Sequence, residues 1–155
     1  MKGDERVIEQ LNTRLSEELA AIHQYTCHAA MQENWGYGKL SKITLERAQA
    51  EMKHAGRLMD RILFLEGVPN VVKLGDISIG TTVEAQIDED IAAEMEAIQN
   101  YNASVVLATQ ELDDGSRAAF EANLKEEEEH LNYLEGQLDL IEQMGIQQFL
   151  SQYIE

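Results

Sequence analysis

Apolar residues recur at intervals of three and four along most of this chain, the spacing that puts side chains on one face of an α-helix. Ile8, Leu11, Leu15, Glu18, Ile22, Tyr25 and Ala29 form one such stripe. Ile87, Ile91, Glu94, Ile98, Tyr101, Val105, Ala108 and Leu112 form another, and Phe120, Leu124, Glu127, Leu131, Leu134, Leu138 and Ile141 a third. A less regular stripe runs through Glu51, His54, Leu58, Ile62 and Leu65. Turn-forming residues fall between the stripes, at Gly36 and Gly38, at Pro69, Gly75 and Gly80, and at Gly115 and Gly145. The pattern predicts helices over about 4–34, 39–66, 83–112 and 116–144, with a short one over about 146–153.

The connections predict a topology. Short glycine-containing links near residues 36 and 114 make two antiparallel helix hairpins. The segment from Gly67 to Thr82 is far longer; extended, it reaches ~50 Å, enough to run the length of a helix of ~28 residues, ~40 Å. The second and third helices are then parallel, and the fold class is all-α: an up-down-down-up four-helix bundle with one long crossover and a short C-terminal helix. The whole of 1–155 reads as one domain.

Glu18, Glu94 and Glu127 interrupt apolar stripes in mid-helix. Glu51-x-x-His54 and Glu127-x-x-His130 place an acid and an imidazole on one helix face. Advancing Glu18, Tyr25, Glu51 and His54 by 76 positions lands on Glu94, Tyr101, Glu127 and His130, so one hairpin pattern occurs twice, consistent with a pseudo-twofold axis. Four buried, unpaired carboxylates would cost several kcal/mol each, more than a small domain's stability margin. Two divalent cations offset that charge, and two imidazoles complete their coordination. Mixed carboxylate and imidazole donors suit iron or manganese better than thiolate-preferring metals. Glu51 and Glu127 are placed to bridge the two ions, with Glu18 and Glu94 terminal and one histidine on each. Tyr25 and Tyr101, two turns from Glu18 and Glu94, fall within reach of the site, as core aromatics with a satisfied hydroxyl or as redox participants.

The net charge of −17 argues against nucleic acid and anionic membrane surfaces, which it repels, and favours cations. A single cysteine, Cys27, precludes an intrachain disulfide and suits a reducing compartment. No apolar run approaches the ~20 residues of a membrane span. The opening Met1–Arg6 is followed by no apolar signal region, so the expected location is the cytoplasm.

These residues resemble the bacterioferritins, within the ferritin-like di-iron superfamily, whose ligand pattern is a known example of metal binding in helical bundles. The likeness extends over the full length through Met1-Lys2-Gly3-Asp4, Asn34-Trp35-Gly36, Glu51-Met52-Lys53-His54-Ala55, Arg61-Ile62-Leu63-Phe64-Leu65-Glu66-Gly67 and Gln137-Leu138-Asp139-Leu140-Ile141. It implies ferroxidase activity on Fe(II) with O2 or H2O2 at a site of two iron ions per subunit. It also implies iron storage in a shell of 24 subunits built from dimers, of one subunit type or two, with a ferredoxin as electron donor. A b-type haem shared between two subunits is implied too, with Met52 at the axial position and Leu19, Ile22, His23 and Thr26 as pocket neighbours. Met52 has Glu128 as its repeat counterpart, an asymmetry expected of a group belonging to one hairpin. The chain departs from some members at Glu46, Ala50, Leu58, Tyr133 and His23, which bears on the internal iron site, the redox relay and the haem face. Two other readings stand beside this one: a soluble di-iron peroxidase or oxidase like rubrerythrin, here without a Cys-x-x-Cys domain, and a metal-free acidic interaction module.

Overall fold

A computed structural model describes residues 1–155 and contains five helices: α1 (Glu5–Asn34), α2 (Gly38–Phe64), α3 (Val83–Gln110), α4 (Asp114–Met144) and α5 (Ile146–Ser151). It is the expected four-helix bundle with a short fifth helix. Polar contacts between α1 and α3 pair Arg14 with Ser104, Tyr101 with Glu18, Tyr25 with Glu94 and Gln32 with Gln86, a descending register that makes the two helices antiparallel. The α2–α4 contacts His54–Glu126, Arg57–Asn123 and Arg61–Ser116 run the same way. Helices α2 and α3 are therefore parallel.

The crossover from Leu65 to Thr82 lies along α1 from one end to the other. Gly3 N–H donates to Leu65 O, Asn70 N–H to the Asn12 side chain, Gly75 N–H to Ser16 O, Ser78 N–H to the Gln24 side chain and Gly80 N–H to His28 Nε2. Several of its backbone donors thus find partners on α1 without a sheet. Gly80 is required by packing, since a Cβ there would collide with the Gln86 backbone.

Side chains cap three of the long helices: Asp4 accepts from Arg6 N–H, Thr82 from Ala85 N–H and Asp113 from Ser116 N–H. Helix bounds shift by one or two residues from the sequence expectation. The largest consequence is at Gly115, which is not in the link but in the first turn of α4. It is glycine because the Arg61 guanidinium occupies the space a Cβ would fill. The link itself, Glu111–Asp113, turns through Leu112 at a φ of 55°.

The core divides in two. Val7, Leu11, Leu15, Ala55, Leu58, Ile62, Leu65, Tyr101, Ala108 and Phe120 fill one end of the bundle, and Leu40, Val83, Ile87, Ile141 and Phe149 fill the other. Helix α5 closes the second end by inserting Phe149. Between the two apolar regions lies a polar layer. No helix is long and apolar enough to cross a membrane.

Candidate metal centre

The polar layer is where the stripes were interrupted. Glu18 on α1, Glu51 and His54 on α2, Glu94 on α3, and Glu127 and His130 on α4 are all buried, each at most 9% exposed. Their donor atoms form two overlapping groups, Glu18–Glu51–His54–Glu127 and Glu51–Glu94–His130, within each of which the atoms lie within 4.8 Å of one another. His54 Nδ1 stands 2.6 Å from Glu127 Oε1, 3.0 Å from Glu51 Oε2 and 3.5 Å from Glu18 Oε2. His130 Nδ1 stands 2.7 Å from Glu94 Oε1. The six sequence-derived candidates therefore converge on one place, with Glu51 shared between the groups.

The twofold repeat is visible in the hydrogen bonds. Tyr25 OH donates to Glu94 Oε1 at 2.6 Å, and its counterpart Tyr101 donates to Glu18 Oε1. Each phenol holds one oxygen of a carboxylate and leaves the other free. Burial, followed by the neighbouring Glu94 and Glu18 charges respectively, pushes both hydroxyls well above the ordinary tyrosine range. They are therefore fixed as donors. The Tyr133 ring, one turn from His130 on α4, stacks over it with centroids 6.2 Å apart.

The carboxyl groups are not equivalent. Burial raises Glu18 well above the usual carboxylate range, and the Glu51 charge adds to it. Burial raises Glu127 likewise, reinforced by Glu94 and Glu51. In Glu51 burial acts upward too, but hydrogen bonds from Glu18 and His54 and the Arg47 charge outweigh it and hold the group below its ordinary value. Glu94 is also lowered against burial, by bonds from Glu127 and His130. With no metal bound, the cluster thus divides into Glu18 and Glu127, shifted toward holding a proton, and Glu51 and Glu94, shifted toward the ionised form. Burial would lower His54, yet Glu127, Glu18 and Glu51 raise it.

Glu94 Oε2 is buried without a hydrogen-bond partner, and Glu51 Oε1 and Glu127 Oε1 are buried with no well-formed hydrogen bond, meeting only Arg47 Nη2 at 2.7 Å and His54 Nδ1 at 2.6 Å. Buried oxygens left in that condition are rare and need a reason. Three from three different helices, facing one centre, fit the coordination of cations. A cavity with about 70 Å³ of room reaches the centre between α1 and α3, lined by Glu17, Glu18, Gln24, Glu51, Asp76, Glu94, Glu96 and Glu127. Its walls carry acid from outside to inside.

The ferritin-like domain family matches residues 8–144. The bacterioferritin of Streptomyces coelicolor is 43% identical over 155 residues, covering 100% of this chain and 93% of that one. That of Mycolicibacterium paratuberculosis is 37% identical over 154 residues, 99% of this chain and 97% of that one. The chain belongs to the bacterioferritin family. The solved structure of Mycobacterium tuberculosis bacterioferritin, BfrA, superposes with a TM-score of 0.98 at 37% identity, over 100% of this chain and 98% of that one. The bacterioferritin fold is thus carried over its whole length.

Three groups in this layer were not found from the sequence. Arg47 sends its guanidinium among Glu51, Glu94 and Glu127. Asn123 Nδ2 donates to Tyr101 OH at 3.0 Å, and Glu126 Oε2 lies 2.7 Å from His54 Nε2. Arg47 and Asn123 stand one turn before Glu51 and Glu127, on the same helix faces and 76 positions apart, so spacing could have flagged both. Glu126 carried no such signal, because only the packing of α2 on α4 brings it to His54.

Proposed function

We propose that this chain is a subunit of an iron-storage shell and that its buried cluster is a ferroxidase centre. Fe(II) is the substrate, attracted by the net charge of −17 and the acidic cavity. Glu18, Glu51, His54, Glu94, Glu127 and His130 bind two ions, with Glu51 and Glu127 between them. Each Fe(II) gives up one electron, and the pair supplies the two that reduce H2O2 to water or O2 to H2O2. Tyr25 and Tyr101 orient the terminal carboxylates, and Glu126 at Nε2 sets the outer side of the His54 ring. Protons that the raised values of Glu18 and Glu127 favour are displaced as metal binds. The observation that carries this reading is the convergence of six buried donors from four helices, three of whose oxygens make no well-formed hydrogen bond.

Family membership extends the proposal to assembly and haem. Large apolar side chains are exposed along the crossover and elsewhere, including Val68, Val72, Leu63, Phe64 and Leu112, as expected of surfaces covered in a 24-subunit shell. Met52 is 60% exposed, one residue from Glu51 and so turned ~100° away from the metal centre. Half-buried Leu19 and Ile22 lie near its height on α1. A free thioether beside apolar surface fits one axial ligand of a b-type haem shared across a dimer axis. Bound there, the haem would supply an electron path into the shell, with a ferredoxin-class protein as donor. The proposed location is the cytoplasm, where the free Cys27 stays reduced.

The test is Fe(II) oxidation followed by ferric absorbance in assembled protein. Glu94→Ala is expected to abolish the fast phase while leaving the shell intact by sedimentation. Unchanged kinetics would refute the assignment.

A further inference from the structure

Arg47 breaks the twofold repeat at the metal centre. Its Nη2 lies 2.7 Å from Glu51 Oε1, 3.1 Å from Glu127 Oε2 and 3.6 Å from Glu94 Oε1. One guanidinium nitrogen thus touches three of the four carboxylates. Its counterpart across the repeat is Asn123, a neutral amide turned to Tyr101 OH and to Arg57. Arg57 in turn reaches outward to Glu126, at 3.4 Å, and is no part of the centre. The two halves therefore match in their acids, histidines and tyrosines but differ by one positive charge.

We propose that Arg47, lying across Glu51 and Glu127 on the His130 side of the centre and beside Glu94, is a displaceable internal cation, so that the Glu18–His54 half takes the first metal ion and the second enters only as Arg47 withdraws. The inference rests on the two-metal reading above and deepens it. Four carboxylates balance two divalent ions, and a guanidinium retained among them would leave an unpaired buried charge and repel the second ion. One ion together with Arg47 leaves a smaller residual charge than one ion alone, so the half-filled state is a defined intermediate.

The surroundings allow the movement. The Arg47 side chain is 13% exposed and, with His130, lines two open depressions between α2 and α4, one with Lys125 and Glu129 and the other with Glu46. Glu46 and Glu129 are exposed there as outer partners for a guanidinium that has swung out. Its Nε makes no hydrogen bond inside, so the head group is held by charge and not by a rigid fork. The acidic cavity between α1 and α3 opens on the other side of the centre and does not include Arg47. Metal therefore arrives by one side while the arginine leaves by the other.

The test is stepwise binding of Co(II), a redox-stable stand-in, to metal-stripped assembled protein, followed by absorption and calorimetry. Wild type is expected to bind two ions per subunit, the second about tenfold or more weakly. His130→Ala should remove the weaker step and leave the first. Arg47→Gln should tighten the second step by about tenfold more than it tightens the first, and Arg47→Lys should keep the two steps apart. In addition, Arg47→Gln should lower the melting temperature of the metal-free protein and not of the metal-saturated one, a split that a merely structural arginine would not produce. Equal steps in wild type, or the same spacing in Arg47→Gln, would overturn the inference and leave the two-metal reading standing. Failure of wild type to bind Co(II) at all would overturn both.

Discussion

Four glutamates cannot all be ionised in one buried pocket that has no metal, and the proton arrangement decides how this site responds to pH. Glu18 and Glu127 have folded-state values above their unfolded ones, chiefly through burial. The stability they contribute is present below the ordinary carboxylate value of 4.5 and is lost as pH rises through their raised values. Glu51 and Glu94 are lowered, so their contribution is present above 4.5 and is lost as pH falls through their folded values. Metal-free protein should accordingly lose melting temperature on both the acid and the alkaline side. Metal held by Glu18 and Glu127 as proposed would displace their protons, so Co(II) affinity should rise with pH over the alkaline range in which metal-free stability declines. Thermal melts and titrations at matched pH check this, and affinity independent of pH would contradict it. The duplicated acids, histidines and tyrosines were legible in the sequence because helix geometry turns a spacing into a shared face. Arg47 shares that face and spacing, but an arginine one turn from a glutamate ordinarily reads as a surface ion pair.

At the scale of elements, the bundle depends on a few joints. Asp113 accepts from Ser116 N–H and from Ser116 Oγ at 2.7 Å, and it pairs with Arg61 at 2.7 Å. It therefore ties the start of α4 to the end of α2. Asp113→Ala should destabilise the subunit by about 1–2 kcal/mol, read from a denaturant midpoint. The crossover is latched at its far end by Gly80, whose N–H donates to His28 Nε2 at 3.0 Å while His28 Nδ1 faces Asp90 Oδ1 at 3.0 Å. Because Nε2 accepts, the proton sits on Nδ1. Gly80→Ala would press a methyl group into α3 and should cost about 1–3 kcal/mol, with faster hydrogen exchange along residues 75–82 than elsewhere. Uniform exchange would argue against a local latch. The helices and the long crossover followed from periodicity and reach. The role of Gly115 did not, since a glycine near a link reads as a turn until the neighbouring arginine is seen.

For the whole molecule, stability and assembly are linked through surfaces and metal. Metal that binds only the folded state stabilises it by about 2.7 kcal/mol at a hundredfold excess over Kd. Stripping metal should therefore lower the melting temperature of wild type, and lower that of Glu94→Ala, which keeps the Glu18–His54 half, by less. The exposed apolar residues of a lone subunit predict that sedimentation finds a large closed assembly and no monomer. With haem held by Met52 as proposed, wild type as purified should show a Soret band that Met52→Leu loses while that assembly persists. A band retained in the variant would exclude Met52 as the axial ligand.

Residue spacing alone determined the all-helical class, the parallel relation of α2 and α3, and the six acids and imidazoles of the centre, because each follows from a period of 3.6 residues and the reach of a chain. The tertiary structure decided what depends on distances between helices: which carboxyl groups hold protons, which phenol supports which glutamate, and the placing of a guanidinium in one half of a repeat that is otherwise symmetric. Charge at a buried site depends on every neighbour within a few ångströms, and those neighbours come from four helices that a one-dimensional pattern does not bring together.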